Sequence, residues 1–337
     1  MNRKRFIVLL SLVLCLALAF SLVGCSKGES GGENNNEGGV KDVYVNPLTG
    51  VENEEPIEAA RPLVVSIDNV GSAVPQSWLS KADMVYEFPV EAQQTRLQAV
   101  FYGEMADDFG PIRSTRPYFV DLAREYKAIF LAHGWSPDAK KYLQSNVVPY
   151  INAMNSDCDF YRVSDKESPH NSYLSFSEVK RKIEEKGWWD ETQEIRPFAF
   201  LAEDETAEGE AATYITVNYG ATKCEYTYDE ATQLYTRTLN GKKYVDKETN
   251  ESITVSNVLV QRVTSEVLDK KGRLEIDMCA GGEATLYTNG VAIEGTWSRD
   301  NLDSRTIFVD KEGNEFKLEV GKTWVQVADQ KCSVAHQ

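Results

Sequence analysis

Apolar and polar positions alternate in short blocks between residues 61 and 200. Blocks rich in β-branched and aromatic residues predict strands at 63–67, 84–88, 97–102 and 128–132. Apolar residues spaced three or four positions apart predict helices at 117–126, 136–144 and 177–186. This part of the chain is therefore predicted to mix helices and strands.

Beyond residue 212 the pattern changes to short strands separated by turn signals. Asn240-Gly241 and Asn289-Gly290 favour two-residue hairpin turns, because both central positions of such a turn need positive φ. Apolar residues flank the second pair, so we expect residues 285–287 to pair with 291–293. The second part is predicted to be all-β, and the acidic, alanine-rich stretch 202–212 is predicted to be an exposed connection.

The N-terminus carries a different pattern. Three basic residues lie within the first five positions, and residues 6–23 are apolar apart from two serines, which is typical of a secretory signal peptide. The apolar run ends in Leu22-Val23-Gly24-Cys25, a lipobox that predicts cleavage after Gly24 and acylation of Cys25, with palmitate among the expected acyl groups. An uncleaved membrane anchor is the alternative that the length of the run allows.

Residues 26–40 are rich in Gly, Asn, Glu and Ser, and they have too little apolar surface to fold, so they are predicted to form a flexible tether. We therefore predict a lipid-anchored protein at the outer face of the cell membrane. The predicted segments are a signal peptide (1–24), a lipidated cysteine with its tether (25–45), an N-terminal domain (46–201), an acidic linker (202–212) and a C-terminal domain (213–330).

The charge balance excludes one class of partner. The chain of 337 residues has a formal net charge of -16, and removal of residues 1–24, which contain three basic residues and no acid, brings it to -19. Such a surface repels nucleic acid and anionic lipid. We therefore predict that no nucleic acid partner exists and that the membrane is reached through the lipid anchor.

Besides the acylated Cys25, four cysteines remain after processing, and they are widely spaced: Cys158, Cys224, Cys279 and Cys332. Their spacing lacks the CxxC or CxxH arrangement that zinc sites usually show, so we predict no metal site from them. An exported protein can form disulfides, and four cysteines allow three pairings, among which the sequence selects none. We interpret them as incidental or buried thiols.

Candidate chemistry is concentrated at strand ends and loops of the first part. Residues 110–117 place Arg113, Ser114 and Arg116 just before a predicted helix, whose free N–H groups also favour an anion. Arginine binds phosphate or carboxylate with two parallel hydrogen bonds. The predicted ligand-binding residues are Asp68, Asn69, Glu87, Arg96, Arg113, Ser114, Arg116, Ser136, His170 and Asn171.

Several alternatives stay open at these positions. Arg113 and Arg116 could instead pair with Glu87, Glu91 or Asp121 and only fix the loop. A nucleophilic site could combine Ser114 or Ser136 with His133 or His170 and with Asp68, although no GxSxG elbow is present. A metal site formed by His133, His170 and Asp68 has no better support, and we favour hydrogen-bonded structural roles for both histidines. We assign no catalytic residue and predict no cofactor.

At these motifs the chain resembles the YerB-like lipoproteins, an envelope family of Gram-positive bacteria with no assigned biochemical function. The resemblance runs from about residue 46 to residue 328. In the first part it rests on Ile67-Asp68-Asn69, Val85-Tyr86-Glu87, Thr95-Arg96, residues 110–117, Gly134-Trp135-Ser136 and Pro169-His170-Asn171. In the second part it rests on Gly295-Thr296-Trp297 and residues 321–327.

The resemblance implies an α+β fold. It implies an N-terminal layered α/β sandwich domain, with two sheet layers and helices, followed by a smaller β-rich C-terminal domain. It assigns no catalytic residue. One departure is the segment Ala92-Gln93-Gln94, because the family pattern has a glycine pair before Thr-Arg. If that loop lines a ligand groove, these side chains would narrow it.

Two functional hypotheses follow. The first is a non-catalytic lipoprotein that binds an anionic envelope component or a cell-wall protein, since the sequence has an anchor, a tether and no recognisable catalytic motif. The second is a hydrolase acting on an anionic envelope glycan or phosphosugar, in which the arginines lie near Asp68, Glu87 and His170 as acid or base groups. We favour the binding hypothesis.

Overall fold

The computed structural model describes residues 43–156 and 158–337. The predicted signal peptide, the lipobox with Cys25 and residues 26–42 lie outside the described residues. Within the described residues the helices are α1 (Pro117–Glu125), α2 (Pro137–Gln144) and α3 (Phe176–Lys186). Short 3-10 turns occur at Leu79–Lys81, Glu91–Gln93 and Ala153–Asn155.

The strands are many and mostly short. Up to residue 211 they are β1 (Tyr44–Val45), β2 (Glu52–Asn53), β3 (Leu63–Asp68), β4 (Met84–Pro89), β5 (Thr95–Phe101), β6 (Asp108–Phe109), β7 (Ile129–Ala132), β8 (Tyr150–Asn152), β9 (Tyr161–Arg162), β10 (Ser172–Ser175), β11 (Ala199–Phe200) and β12 (Glu210–Ala211). They continue as β13 (Tyr214–Asn218), β14 (Lys223–Asp229), β15 (Leu234–Leu239), β16 (Lys242–Lys243), β17 (Thr254–Val255), β18 (Asn257–Arg262) and β19 (Ser265–Val267). The last are β20 (Leu274–Ile276), β21 (Gly282–Thr288), β22 (Val291–Ser298), β23 (Ile307–Asp310), β24 (Lys317–Leu318), β25 (Thr323–Ala328) and β26 (Ser333–His336).

The predicted elements match the observed ones closely. The predicted helices correspond to α1, α2 and α3, and the predicted strands of the first part correspond to β3, β4, β5 and β7, with ends that differ by one or two residues. Asn289 and Gly290 both have positive φ, and they join β21 to β22 with Tyr287 opposite Ala292. The hairpin predicted from this Asn-Gly pair is therefore confirmed.

One large sheet contains strands from both parts of the chain. Its eleven strands run in the order β12-β22-β21-β18-β25-β4-β5-β3-β7-β8, with β23 paired to β22. The junction between the two parts is the parallel pair of β4 and β25, in which Glu87 lies opposite Gln326. The two predicted domains therefore share a continuous hydrogen-bonded sheet.

A second sheet of six strands, from residues 214–336, covers one face of the large sheet. Its buried side chains, such as Val217 and Tyr226, form one core with Val85 and Leu97 of the large sheet. The opposite face packs on α1, whose Phe119 and Leu122 lie in a separate core with Phe88. The result is a layered arrangement of helices, large sheet and small sheet, and the predicted α+β class is confirmed.

The layers explain where successive side chains point. Because side chains alternate between the faces of a sheet, neighbouring residues of β4 face different layers. Phe88 lies opposite Arg96 of β5, and Arg96 lies opposite Asp68 of β3, so these three side chains share the face covered by α1. Glu87 lies opposite Leu97 and faces the six-stranded sheet.

Two further features concern earlier predictions. Most of residues 202–212 are exposed, as expected for the acidic connection, but Ala212 is buried and the end of the stretch forms β12 of the large sheet. Cys224, Cys279 and Cys332 are free thiols, and Cys158, Cys224 and Cys332 are buried.

Within the described residues, no helix has both the length and the apolar character needed to cross a membrane.

Candidate functional site

The loop of residues 110–116 is fixed by backbone hydrogen bonds to the strands around it. Ile112 N donates to Ser172 O and Arg113 N donates to Ser66 O, at 2.7 and 2.8 Å. Gly110 is required at the start of the loop, because a Cβ atom there would lie 2.4 Å from the Tyr173 ring. A rigid loop therefore presents the side chains of Arg113, Ser114 and Arg116 at one end of the large sheet.

Asp68 is the central acid at this end of the sheet. Its side chain is 2% exposed, and its Oδ2 lies 2.9 Å from Arg113 Nε and 2.7 Å from His170 Nδ1. The Arg113 contact has the distance of an ion pair but not the direction of a hydrogen bond, because Nε has no hydrogen-bond partner of suitable geometry. The structure therefore brings Asp68, Arg113 and His170 together, as predicted residues of one site.

Arg116 is held by Glu91. The Nε and Nη2 atoms of Arg116 both donate to Glu91 Oε1, at 2.8 and 2.6 Å. Arg116 is also the N-cap residue of α1, whose first helical residue is Pro117, and no side chain caps the helix there. The sequence analysis left open that Arg116 pairs with a nearby acid and only fixes the loop, and Glu91 is one of the acids named there.

Arg96 lies beside this pair and has no acid of its own. It is 7% exposed, its Nη1 donates to Ser114 O at 2.6 Å, and its Nε is buried without a hydrogen-bond partner. Within residues 43–156 and 158–337, no carboxylate lies within ion-pair distance of its guanidinium. Burial, together with the positive charges of Arg116 and Arg113, lowers the pKa of Arg96 to about 10.

The charges at this end of the sheet do not cancel. Arg96, Arg113 and Arg116 contribute three positive charges, whereas Asp68 and Glu91 contribute two negative charges. These five residues form what we call the arginine cluster. In a chain with a formal net charge of -16, a local positive surplus around a buried guanidinium is suited to an anionic group.

The structure separates Glu87 from the arginine cluster. Glu87 is completely buried on the other face of the sheet, and Arg237 Nη2 donates to its Oε2 at 2.9 Å. The same carboxylate accepts hydrogen bonds from Asn69, Thr95, Cys224, Trp324 and Gln326, which lie between 2.7 and 3.3 Å away. Burial alone would raise the pKa of Glu87, but Arg237, Thr95 and Cys224 hold it below its ordinary value.

Arg237 completes this buried group, which we call the Glu87 knot. Its guanidinium carbon lies 4.0 Å from the centre of the Tyr244 ring and 4.4 Å from that of Trp324, so it makes a cation–π contact with each ring. The Asn69 side chain belongs to the same group, since its Oδ1 accepts from Tyr244 Oη at 3.0 Å. We therefore leave Glu87 and Asn69 out of the proposed ligand site.

The predicted serines and Asn171 have structural partners. Ser136 caps α2 by accepting a hydrogen bond from Ala139 N at 3.2 Å, and Ser114 Oγ donates to His133 O at 3.1 Å. Asn171 is 8% exposed and its amide group holds the adjacent loop by donating to Val163 O and Lys166 O, both at 3.0 Å.

A serine nucleophile is not supported by these contacts. His133 Nδ1 lies 2.5 Å from Ser172 Oγ, and Ser172 is buried, while burial and the charge of Arg162 lower the pKa of His133. The metal alternative gains no support either, since the part of the chain that the structure describes contains no cluster of three or more His, Cys, Asp or Glu side chains suited to a metal ion.

Sequence reasoning missed the residues that hold Glu87. Arg237, Cys224 and Gln326 come from the second part of the chain, which offered no cluster of acids and bases to draw attention. A signal did exist: Glu87 is the one charged residue in the apolar segment 84–90, and a buried acid requires a partner. The sequence could not identify that partner as a residue 150 positions away.

Comparisons with known proteins agree with this architecture. The family described as "Protein of unknown function (DUF3048)" matches twice, with its N-terminal domain at residues 48–189 and its C-terminal domain at 215–325. A relative from Bacillus subtilis (strain 168), named "Putative lipoprotein YerB", is 37% identical over 286 residues. The match covers 83% of this chain and 85% of YerB. The crystal structure of YerB superposes with a TM-score of 0.78 at 35% identity, covering 86% of this chain and 99% of that one.

Proposed function

The chain belongs to the YerB-like DUF3048 family, and from that premise we propose that it is a lipid-anchored envelope protein that binds an anionic group through the arginine cluster. The observation that carries the proposal is Arg96, a buried guanidinium with a single hydrogen bond and, among the described residues, no carboxylate within ion-pair distance. A buried, unpaired charge is unfavourable in the free protein, so a bound anion would supply the missing partner.

The chemistry of the cluster favours phosphate or carboxylate as the bound group. Arg96 Nε has no hydrogen-bond partner, and guanidinium groups bind such anions with two parallel hydrogen bonds. The start of α1, which no side chain caps, adds a positive helix end. Envelope compounds with these groups include teichoic-acid phosphates and muropeptide carboxylates, and a carboxylate-bearing cell-wall protein would offer the same chemistry.

The proposed localisation rests on the N-terminal sequence and on the similarity to YerB, which is named as a lipoprotein. The signal peptide would direct export, and acylated Cys25 would hold the domain at the outer face of the cell membrane through the tether of residues 26–40. The binding site would then face the envelope. Retention of a processed Cys25→Ser protein in the membrane fraction would contradict this anchoring.

Thermal melting of the full-length protein in detergent micelles tests the anion site. The melting temperature in sulfate or phosphate is compared with that in chloride at equal ionic strength. A ligand that binds only the folded state raises the melting temperature, and one charge-assisted hydrogen bond contributes about 1.5–3 kcal/mol. Arg96→Met should abolish the specific rise while changing the free energy of unfolding by less than about 1 kcal/mol, because an apolar side chain replaces an unpaired charge.

The matched control is Arg181→Met. Arg181 is half exposed on α3 and pairs with Glu178 and Glu185, so its loss removes the same charge far from the cluster. The control should retain the sulfate and phosphate response of the parent protein. Absence of any specific anion effect in the parent, or an equal loss in both variants, would refute the site. Titration with muropeptides and teichoic-acid fragments would then identify the natural ligand.

The hydrolase alternative rests on one contact, the 2.7 Å pair between Asp68 Oδ2 and His170 Nδ1. An acid that orients a histidine in this way is half of a general acid–base system, and the arginine cluster would bind the anionic part of a glycan or phosphosugar. Product formation from those substrates by the parent protein, lost in His170→Gln with anion binding retained, would favour the enzyme over the binding protein.

A further inference from the structure

A groove of about 490 Å³ lies away from the arginine cluster, on the side where the chain enters the folded part. One wall is the segment of residues 53–59, which follows the β1–β2 hairpin. The other walls are residues 102–105, the first turns of α3 and Trp189. Its volume lies within the range of about 300–1,000 Å³ that is usual for ligand sites.

The floor of the groove is apolar and aromatic. Tyr102, Met105, Phe176 and Trp189 line it, and the ring centres of Phe176 and Trp189 are 6.4 Å apart. Met105, Phe176 and Trp189 are only partly buried, yet they pack against the hydrophobic cores beneath them. The floor is therefore a fixed apolar surface that retains contact with solvent.

The rim of the groove is acidic. Glu54, Glu55, Glu58 and Glu104 lie around it, and Lys180 is the single basic residue among its lining residues. Glu104 is 64% exposed, with its carboxylate 3.0 Å from Lys81. Fixed negative charges around an apolar floor attract a cation that also carries apolar surface.

We propose that this acid-rimmed groove binds a basic polypeptide segment, with lysine or arginine heads at the glutamates and apolar side chains on the aromatic floor. Charge complementarity selects this partner, because the rim repels anionic lipid and anionic glycan alike. Lysine and arginine are suited to the groove since their aliphatic stems pack on aromatic rings while their charged heads reach the rim. The proposal is independent of the arginine cluster, which takes ligands of the opposite charge.

The test uses the full-length protein in nonionic detergent and fluorescein-labelled seven-residue peptides, read by fluorescence anisotropy. One peptide alternates Lys and Leu, a second alternates Lys and Ser, and a third alternates Glu and Leu. The Lys–Leu peptide should bind roughly tenfold or more tightly than the Lys–Ser peptide, because only leucine buries apolar surface on the floor. The Glu–Leu peptide should not bind.

Charge-removing variants locate the site. Glu58→Gln with Glu104→Gln should weaken Lys–Leu binding about fivefold or more. The matched control, Glu283→Gln with Glu312→Gln, removes two exposed acids elsewhere and should change it less than about twofold. Equal weakening in both pairs would show general attraction to an acidic surface and overturn the proposal. Equal affinity of the Lys–Leu and Lys–Ser peptides would also overturn it, because the aromatic floor would then contribute nothing.

Discussion

Two arginine–carboxylate groups lie on opposite faces of the same sheet end, and they differ in how completely they are paired. In the Glu87 knot one carboxylate receives hydrogen bonds from six side chains, and its arginine makes cation–π contacts with two aromatic rings. In the arginine cluster three guanidiniums share two carboxylates, and Arg96 has no acid partner among the described residues.

The difference separates structural pairing from binding capacity. A carboxylate surrounded by donors has no need of a ligand, and it fixes the parts of the protein that supply the donors. A buried cation without an acid keeps an unmet requirement that a ligand can satisfy. Counting donors and charges around each ionised group is therefore more informative than noting that arginine and carboxylate are close.

The largest effect is expected for Arg237→Met, since it leaves Glu87 buried without its cation. Breaking a buried pair costs about 3–5 kcal/mol, which should be measurable as a lower midpoint in urea unfolding followed by tryptophan fluorescence. The double variant Glu87→Gln with Arg237→Met should recover part of the loss. A cost below about 1 kcal/mol would mean that the other five donors hold Glu87 without help, and the contrast with Arg96 would disappear.

A smaller loss is expected for Arg113→Ala. It removes one partner of Asp68, but His170 and the Val70 amide remain in contact with the carboxylate. We expect a loss of about 1–3 kcal/mol in the free energy of unfolding, together with a weaker sulfate or phosphate effect on the melting temperature. Arg113→Lys keeps the charge, so it should lose less of the free energy of unfolding than Arg113→Ala does. It should still weaken the sulfate or phosphate effect, because lysine lacks the planar fork of arginine. A loss of stability as large as that of Arg237→Met, with no anion effect in the parent protein, would mean that Arg113 has only a structural role.

The smallest effect concerns the loop that positions Glu91 against Arg116. Ala92 is exposed and has a φ of 60°, in the left-handed region that favours glycine. That region costs a non-glycine residue about 1–2 kcal/mol, and glycine loses about 0.5–1 kcal/mol more in chain entropy, so Ala92→Gly should stabilise the protein by about 0.5–1 kcal/mol. In the control, Ala231→Gly replaces an exposed alanine outside that region and should destabilise it. If Ala92→Gly were destabilising as well, the loop would not be strained.

The sequence predicted what depends on neighbours along the chain. Asn289-Gly290 defined a hairpin because both residues adopt positive φ. The pairing of β4 with β25 could not be predicted, since residues some 240 positions apart determine it. For the same reason the core shared by the two parts was not apparent.

The candidate site was predicted in part. Asp68, Arg113 and His170 do meet, because the ends of β3, the 110–116 loop and the segment before β10 converge. Glu87 was placed with them because it lies at the same end of the sheet in sequence order. Strand alternation puts it on the other face, and only the register of Phe88 opposite Arg96 reveals this.

The position of β25 has a consequence for how the protein is made. This strand lies between β18 and β4 in the large sheet, yet it follows both of them in the chain. Until it arrives, β4 and β18 each have an unpaired edge, and such edges readily associate with other chains. A variant that lacks β25 should therefore aggregate rather than fold as a shortened domain.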